Sequence, residues 1–420
     1  MSQILSLAFV GFLLLMVGLK YWLAWRQVRH VSRHADSVPR QFAGRVPLEA
    51  HRKAASYTIA RTRLALVETA VGAAVLIVLT LLGGLQSLAD ALRAAAGTGF
   101  AFQLLFVISV AILLGLIDLP FSWVRQFRVE AHYGFNRMTP RLWFADLAKS
   151  FVLAALLGVP LLAAVVALMR GAGELWWIYA WLLWVGFNAL VLVIYPTVIA
   201  PLFNRFEPLK DSALAQRIGE LLSRTGFSSK GVFVMDGSRR SAHGNAYFTG
   251  LGRAKRIVFF DTLVDRLQPS EIEAVLAHEL GHFKLKHIAK RMAFSFVASL
   301  VFLALLGWLV DQSWFYTGLG VTPSLDGGNE GIALVLFVLV LPVFTFVFAP
   351  LASYLSRRHE FEADAFAARH ASADDLVNAL VKLYEDNAAT LTPDPIHSAF
   401  YDSHPPASLR VARLAAAAAT

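Results

Sequence analysis

Residues Ala277-His278-Glu279-Leu280-Gly281-His282-Phe283 read H-E-x-x-H. On a helix, side chains four positions apart lie on one face. His278 and His282 can therefore turn two imidazoles toward one metal ion, while Glu279 stands beside that ion and not on it. Two His ligands and a neighbouring carboxylate able to accept a water proton are what a zinc peptidase needs. Pro269-Ser270-Glu271-Ile272-Glu273 opens the helix, and Ser270 with Glu273 reads as a capping box. The same face continues through Leu276, Leu280 and Phe283, then past His287 and Lys290 toward a long apolar stretch. On that continuous helix His287 faces away from the two motif histidines and lies at a membrane boundary.

The composition says where such a helix sits. The chain has 420 residues, 57% of them hydrophobic and 16% charged, with a mean hydropathy of +0.57. A soluble protein carries about 45–50% apolar and about 25% charged residues. The excess comes in blocks, and ~20 apolar residues cross a bilayer. Seven blocks qualify: about Ile4 to Trp25, Leu64 to Leu82, Phe102 to Leu119, Phe151 to Met169, Leu175 to Tyr195, Met292 to Leu309 and Ile332 to Leu351. The Ala-rich stretch Ala89–Gly97 is too short and mixed to span. The first block has no basic residues ahead of it and Arg26, Arg29 and Arg33 behind it, which argues against a cleaved signal peptide.

Those arginines predict an N-terminus outside. Alternation then places loops 26–63, 120–150 and 196–291 and the tail from 352 inside, and these hold nearly all the Lys and Arg. The outside loops 83–101, 170–174 and 310–331 hold Arg93 and Arg170. This is the positive-inside asymmetry, and it puts H-E-x-x-H and the C-terminal tail in the cytoplasm. It also accounts for the net charge of +9, so no nucleic-acid partner is expected. The Leu-, Ala- and Arg-rich composition suggests a bacterial inner membrane. There is no cysteine, which excludes disulfides and a Cys-ligated zinc.

The main soluble insert, Ala200 to Arg291, begins with an amphipathic helix over Asp211–Thr225 (Leu214, Ile218, Leu221, Leu222). Three β-rich runs follow, Gly231–Met235, Asn245–Thr249 and Arg256–Phe260. A zinc site needs a third protein ligand, with a fourth position left open for catalysis. Beyond the last span, Glu360 and Asp364 are four apart on an expected helix. One carboxylate can bind the ion while the other accepts the free N–H of a ligating His. Glu68, within the second span, is costly in lipid and should face a cavity or another helix. His243 reads equally as support for the site or as polar loop, and Arg239 and Arg240 as solvated loop charge. Ala415–Ala419 reads as a frayed helix end.

H-E-L-G-H, followed 78 positions after His282 by E-F-E-A-D from Glu360, resembles the type-I CAAX prenyl protease family of integral-membrane zinc metallopeptidases. Pro120-Phe121, Glu130 to Asn136, Pro201-Leu202-Phe203-Asn204, His243 to Gly250, Arg256 to Leu263, and Ser403-His404-Pro405-Pro406 with Arg410 are similar to it too, in order. In the N-terminal hundred residues only Val46-Pro47 and Lys53 to Thr58 stand out. The resemblance implies a mainly α fold in which seven helices enclose a chamber, with a cytoplasmic gluzincin-like unit containing a small β-sheet. It implies one Zn2+ per chain held by His278, His282 and Glu360. Glu279 would be the general base and acid, and Asp364 would orient a ligating His. His404 would hydrogen-bond the oxyanion, and Arg410 would help hold that part of the site. Asn245 and Ala246 would pair with the substrate backbone, an arrangement that β-augmentation on an edge strand provides.

The expected organisation is a five-span membrane region over residues 1–199, a peptidase segment over 200–291, spans six and seven over 292–351, and a segment carrying the third ligand over 352–420. The resemblance implies peptide-bond hydrolysis at a bilayer, near the C-terminus of a prenylated CAAX protein or peptide, with the natural substrate and the oligomeric state left open. Two other readings are a heat-shock-type quality-control zinc protease and a transporter or scaffold with a structural zinc. The seven spans and the K-A-A-S-Y-T segment oppose the first. Glu279 beside an open metal position, and the lack of Gly/Pro-broken symmetric halves, oppose the second.

Overall fold

The computed structural model describes residues 1–249, 256–325 and 327–418. Gly250, at the end of one family-like segment, and Ala419, in the terminal alanine run, lie outside the described residues. Among the described residues seven helices are long and apolar enough to cross a membrane: Ser2–His34, Leu48–Leu79, Phe100–Glu130, Pro140–Gly171, Gly173–Phe203, His287–Leu309 and Glu330–His370. Six of the seven apolar blocks fall wholly within one of these helices, and the second, expected to run to Leu82, stops three residues sooner, at Leu79. A helix pairs its own backbone N–H and C=O groups, as hydrocarbon requires. The Ala-rich stretch lies in a separate helix, Gly84–Ala96, too short to span. On the sixth span Phe294, Val297, Val301 and Trp308 are each more than half exposed.

The last of these helices decides where the site forms. Its 41 residues make it about 60 Å long, twice the ~30 Å hydrocarbon core. One half can cross the bilayer while the other, Ala349–His370, stands beyond it and carries Glu360 and Asp364.

Between the fifth and sixth spans lies a four-stranded sheet of β1 (Phe206–Pro208), β2 (Val232–Met235), β3 (Ala246–Thr249) and β4 (Arg256–Phe260), in the order β1-β2-β4-β3. β2 and β4 are parallel; β1 pairs antiparallel with β2, and β3 antiparallel with β4, with Ala246 opposite Phe259. β3 is therefore an edge strand. β1 was not anticipated, because three residues ending in proline show no alternation. The expected amphipathic helix covers Ser212–Arg224 and buries Leu214, Ile218 and Leu221. These pack with Ile257 and Phe259 of β4, with Ile272, Leu276 and Leu280 of the motif helix, with Phe366 of the last spanning helix, and with Leu376 and Leu380 of the chain beyond it. At about 1.5–3 kcal/mol per fully buried side chain, this core fixes the motif helix against the sheet.

The motif helix runs Pro269–Lys284. Its cap is not Ser270 with Glu273 but Gln268 with Glu271, two residues earlier. Pro269 has no N–H and its ring fits the first helical position, so the cap falls on the residue before it. Glu273 instead accepts hydrogen bonds from Arg217 and Arg224 of the amphipathic helix, at 2.6 and 2.5 Å. The motif helix also does not continue smoothly into the sixth span. Lys286 takes a left-handed conformation (φ 59°), and a new helix begins at His287.

Candidate metal centre

Two helices supply the centre, one that precedes the sixth span in the chain and one that continues from the seventh. The motif helix places His278 and His282 on one face, and their Nε2 atoms are 3.2 Å apart. From the Ala349–His370 helix, Glu360 sets Oε2 3.4 Å from His278 Nε2 and Oε1 3.3 Å from His282 Nε2. An ion held tetrahedrally at ~2.0–2.1 Å from its ligands has ligand–ligand edges of about 3.3–3.4 Å. The three side chains stand at that spacing. Glu360 Oε2 is buried and has no hydrogen-bond partner, a state that costs about 1–3 kcal/mol or more for a charged group unless something binds it. The donor set, its spacing and the orphaned oxygen all fit a metal ion.

The surroundings favour a cation as well. Asp364 and Arg410 are both buried, and Arg410 grips Asp364 with a fork of hydrogen bonds at 2.9 and 2.5 Å. Asp364 Oδ1, which Arg410 also holds, lies 2.9 Å from His278 Nδ1, so the carboxylate accepts the Nδ1 N–H and leaves Nε2 free to ligate. Glu360 and Asp364 set two carboxylates against the single guanidinium of Arg410, a negative excess that suits a cation. Burial alone would pull the His278 imidazole down, but the Asp364 and Glu360 carboxylates outweigh it and raise the group to about 9. Burial pushes the Glu279 carboxyl up, against the pull of the His278 and His282 imidazoles.

Close helix packing makes this convergence possible. A Cβ on Gly281 would stand 3.0 Å from both Ala363 Cα and Phe366 Cβ. The glycine between the motif histidines is where the two helices touch.

His287 differs from expectation. It is buried, with Nδ1 3.1 Å from His282 Nδ1 and Nε2 3.0 Å from Glu362 Oε2. The left-handed turn at Lys286 resets the helix direction, so the periodicity that carried His287 away from the motif does not hold across it. Arg240 also differs: it is not solvated loop charge but binds Asp146 of the fourth span at 2.8 and 3.1 Å and Asn204, just past the fifth, at 2.9 Å. His243 stacks on Phe135 and contacts Asn387 (3.0 Å) and Glu130 (3.4 Å), bracing the chain just before β3.

The centre opens onto space. A cavity of about 310 Å³ is lined by Asn245, Ala246, His278, Glu279, His404 and Arg410, among others. It shares Gly244, Asn245, Tyr384 and His404 with a chamber of about 1460 Å³ whose walls include Met16, Lys20, Thr58, Gly72, Leu339 and Pro342 of the first, second and seventh spans. Glu68, paired with Arg125 at 2.5 Å, faces this chamber. His404 reaches within 3.5 Å of Glu360 and is exposed to the cavity. β3 enters the same cavity along its free edge. The Ala246 N–H is held by Asn245 Oδ1 at 2.8 Å and not by β4, whereas the Asn245 carbonyl accepts from Phe260. Tyr384, which lines both cavities, was not foreseen; it lies on a short amphipathic helix whose pattern signals only a core.

Comparison with known proteins decides the family. A profile described as CAAX prenyl protease N-terminal, five membrane helices, matches residues 27–205, and one described as Peptidase family M48 matches residues 208–418. The chain belongs to peptidase family M48. This metalloprotease is 41% identical over 296 residues to the CAAX prenyl protease 1 homolog of Arabidopsis thaliana, covering 69% of this chain and 68% of that one. It is 36% identical over 328 residues to CAAX prenyl protease 1 of Saccharomyces cerevisiae, covering 75% and 72%. The crystal structure of S. mikatae Ste24p superposes with a TM-score of 0.90 at 29% identity, covering 98% of this chain and 99% of that one. The M48 chain is thus a multi-pass membrane metalloprotease of the CAAX protease type, acting on peptide or protein substrates in a bilayer.

Proposed function

We propose that this protease is a zinc endopeptidase that removes C-terminal residues from prenylated CAAX proteins or peptides, with His278, His282 and Glu360 holding one Zn2+. The observation that carries this reading is the orphaned Glu360 oxygen facing two imidazoles where a peptide cleft meets a chamber among the spans. Imidazole and carboxylate at tetrahedral spacing suit zinc, and the absence of cysteine leaves no competing ligand type. The names of the relatives support the substrate class. The distribution of loop Lys and Arg supports a cytoplasmic centre, and the composition supports a bacterial inner membrane. The peptidase unit in this reading is split between residues 200–291 and 352–420.

When bound, zinc supplies Lewis acidity, polarising the scissile carbonyl and acidifying an adjacent water. Glu279, raised by burial, accepts that water's proton as it attacks and returns it to the leaving amine. His404, exposed to the cavity beside Glu360, donates to the oxyanion, a contribution of about 3–4 kcal/mol by analogy with other donors. Arg410 holds Asp364 and so fixes the His278 tautomer. The free edge of β3 at Asn245 and Ala246 holds the substrate extended beside His278 and Glu279. A chamber walled by Met16, Leu76, Leu339 and Val343 suits a prenyl chain.

The test is hydrolysis of a farnesylated CAAX peptide and its unprenylated counterpart by wild type and Glu279→Gln, with zinc content measured for both proteins. The expected result is one zinc per chain in each protein, and hydrolysis of the farnesylated peptide by wild type alone. Equal activity in the variant would remove Glu279 from the mechanism, and equal cleavage of both peptides would remove the prenyl group from recognition.

A further inference from the structure

We propose that His287 and Glu362 form a hydrogen-bond relay that fixes the tautomer and orientation of His282. This makes His287 a positioning residue for the metal centre, and the inference rests on the metal site proposed above.

A ligating histidine normally donates its remaining ring N–H to a carboxylate, a backbone carbonyl or water. His278 does so directly, to Asp364. His282 does not: its Nδ1 faces the Nδ1 of a second imidazole, His287, at 3.1 Å. Two imidazole nitrogens can share a hydrogen bond only if one carries a proton and the other a lone pair. The far end of the relay decides which. His287 Nε2 lies 3.0 Å from Glu362 Oε2, and Glu362 Oε1 accepts from Arg358 Nε at 3.0 Å. An ionised carboxylate only accepts, so the His287 proton sits on Nε2. In the neutral ring Nδ1 is then an acceptor, and the shared proton belongs to His282 Nδ1. That leaves His282 Nε2 with its lone pair pointing at His278 and Glu360, the arrangement a metal ligand needs.

The relay is also held in place. His287 is 1% exposed, so its own ring is shielded from water. Its ring stacks on His359 at 4.1 Å with an interplanar angle of 9°. Lys286, with φ 59°, provides the helix break that turns His287 back toward the centre. Glu362 lies two residues from Glu360 on the same helix, so the helix that supplies the third ligand also orients the second.

The experiment compares zinc affinity, by competition with a chromophoric chelator, in full-length wild type, His287→Leu and His287→Asn in detergent. Thermal unfolding of the metal-free proteins serves as the control. His287→Leu keeps the bulk but strands the His282 N–H, so affinity is expected to fall by about 10–100-fold with unfolding little changed. His287→Asn places an acceptor oxygen near the Nδ1 position and should recover most of that loss. The cobalt(II)-loaded proteins give a second readout, with a visible absorption spectrum shifted in His287→Leu and near wild type in His287→Asn. Wild-type affinity in His287→Leu would overturn the relay, and so would equal weakening in both variants, which would make His287 a packing residue only. Failure of wild type itself to bind zinc would sink the metal site and the relay with it, an outcome separable from the other two.

Discussion

Gly281→Ala tests whether the metal centre depends on the contact between the motif helix and the helix carrying Glu360. The added Cβ would stand 3.0 Å from Ala363 Cα, 3.0 Å from Phe366 Cβ and 3.2 Å from the Ala363 carbonyl oxygen. Comfortable carbon–carbon contact begins near ~3.5 Å, so the two helices must part by about 0.5 Å. Two of the three atoms met are backbone, and no rotamer change relieves them. Glu360 is one turn from Ala363 and moves with it. Metal–ligand distances tolerate only about ±0.2 Å, so the displacement exceeds what the site can absorb. The effect on folding is smaller. Alanine gains about 1 kcal/mol of helix propensity over glycine, which offsets much of the ~1–3 kcal/mol typical of overpacking. The expected outcome is a loss of metal affinity of about tenfold or more, with metal-free unfolding shifted by no more than about 2 kcal/mol. Chelator competition beside thermal unfolding measures both. Wild-type affinity, or a fall in affinity matched by an equal loss of metal-free stability, would refute the displacement argument.

Other outcomes follow from the same geometry. Glu279→Gln should keep the metal and lose about 10²–10⁴-fold in hydrolysis, seen in single-turnover rates with zinc content alongside. Glu360→Ala should lose the metal itself, measured as zinc per chain after dialysis against a weak chelator. Ala246→Pro removes an outward N–H that β4 does not use, so it should raise KM for an extended peptide far more than it lowers kcat, with the fold intact by circular dichroism. Asp394 should make stability pH-dependent. Burial alone would raise its carboxyl, but hydrogen bonds from Arg26 and from the His397 and Ile396 amides outweigh that and lower it. A group lowered by folding contributes stability above its unfolded value near ~4, and that contribution is lost as pH falls through the folded value. Thermal unfolding between pH 3 and 6 should show this loss in wild type and not in Asp394→Asn.

Several features were legible without coordinates because they are local or periodic. H-E-x-x-H needs only the pitch of a helix to bring His278 and His282 together. Seven apolar blocks need only the thickness of a bilayer, and Asn245–Thr249 and Arg256–Phe260 needed only strand-like composition. Glu68 was placed correctly by the cost of a carboxylate in lipid. Where reading failed, a single backbone event or a distant partner was responsible. Pro269 moved the cap to Gln268, and the left-handed turn at Lys286 turned His287 from a boundary residue into a neighbour of His282. Arg240 found Asp146 on the fourth span, 94 positions away, and Asn204, a partnership with no local signature.

By itself, then, the sequence determined the membrane-spanning architecture and the residue types of a metallopeptidase centre, since both rest on composition and on spacings shorter than one helix. Only the tertiary structure decided that Glu360 faces His278 and His282, that Asp364 and Arg410 lock one imidazole, that His287 and Glu362 stand behind the other, and that β3 leaves a free edge on the cleft. Those side-chain contacts join residues 46 positions apart for Asp364 and Arg410, 75 for His287 and Glu362, and 78 for His282 and Glu360. They exist because a glycine lets two helices touch and because the seventh span continues past the bilayer to meet the motif helix there.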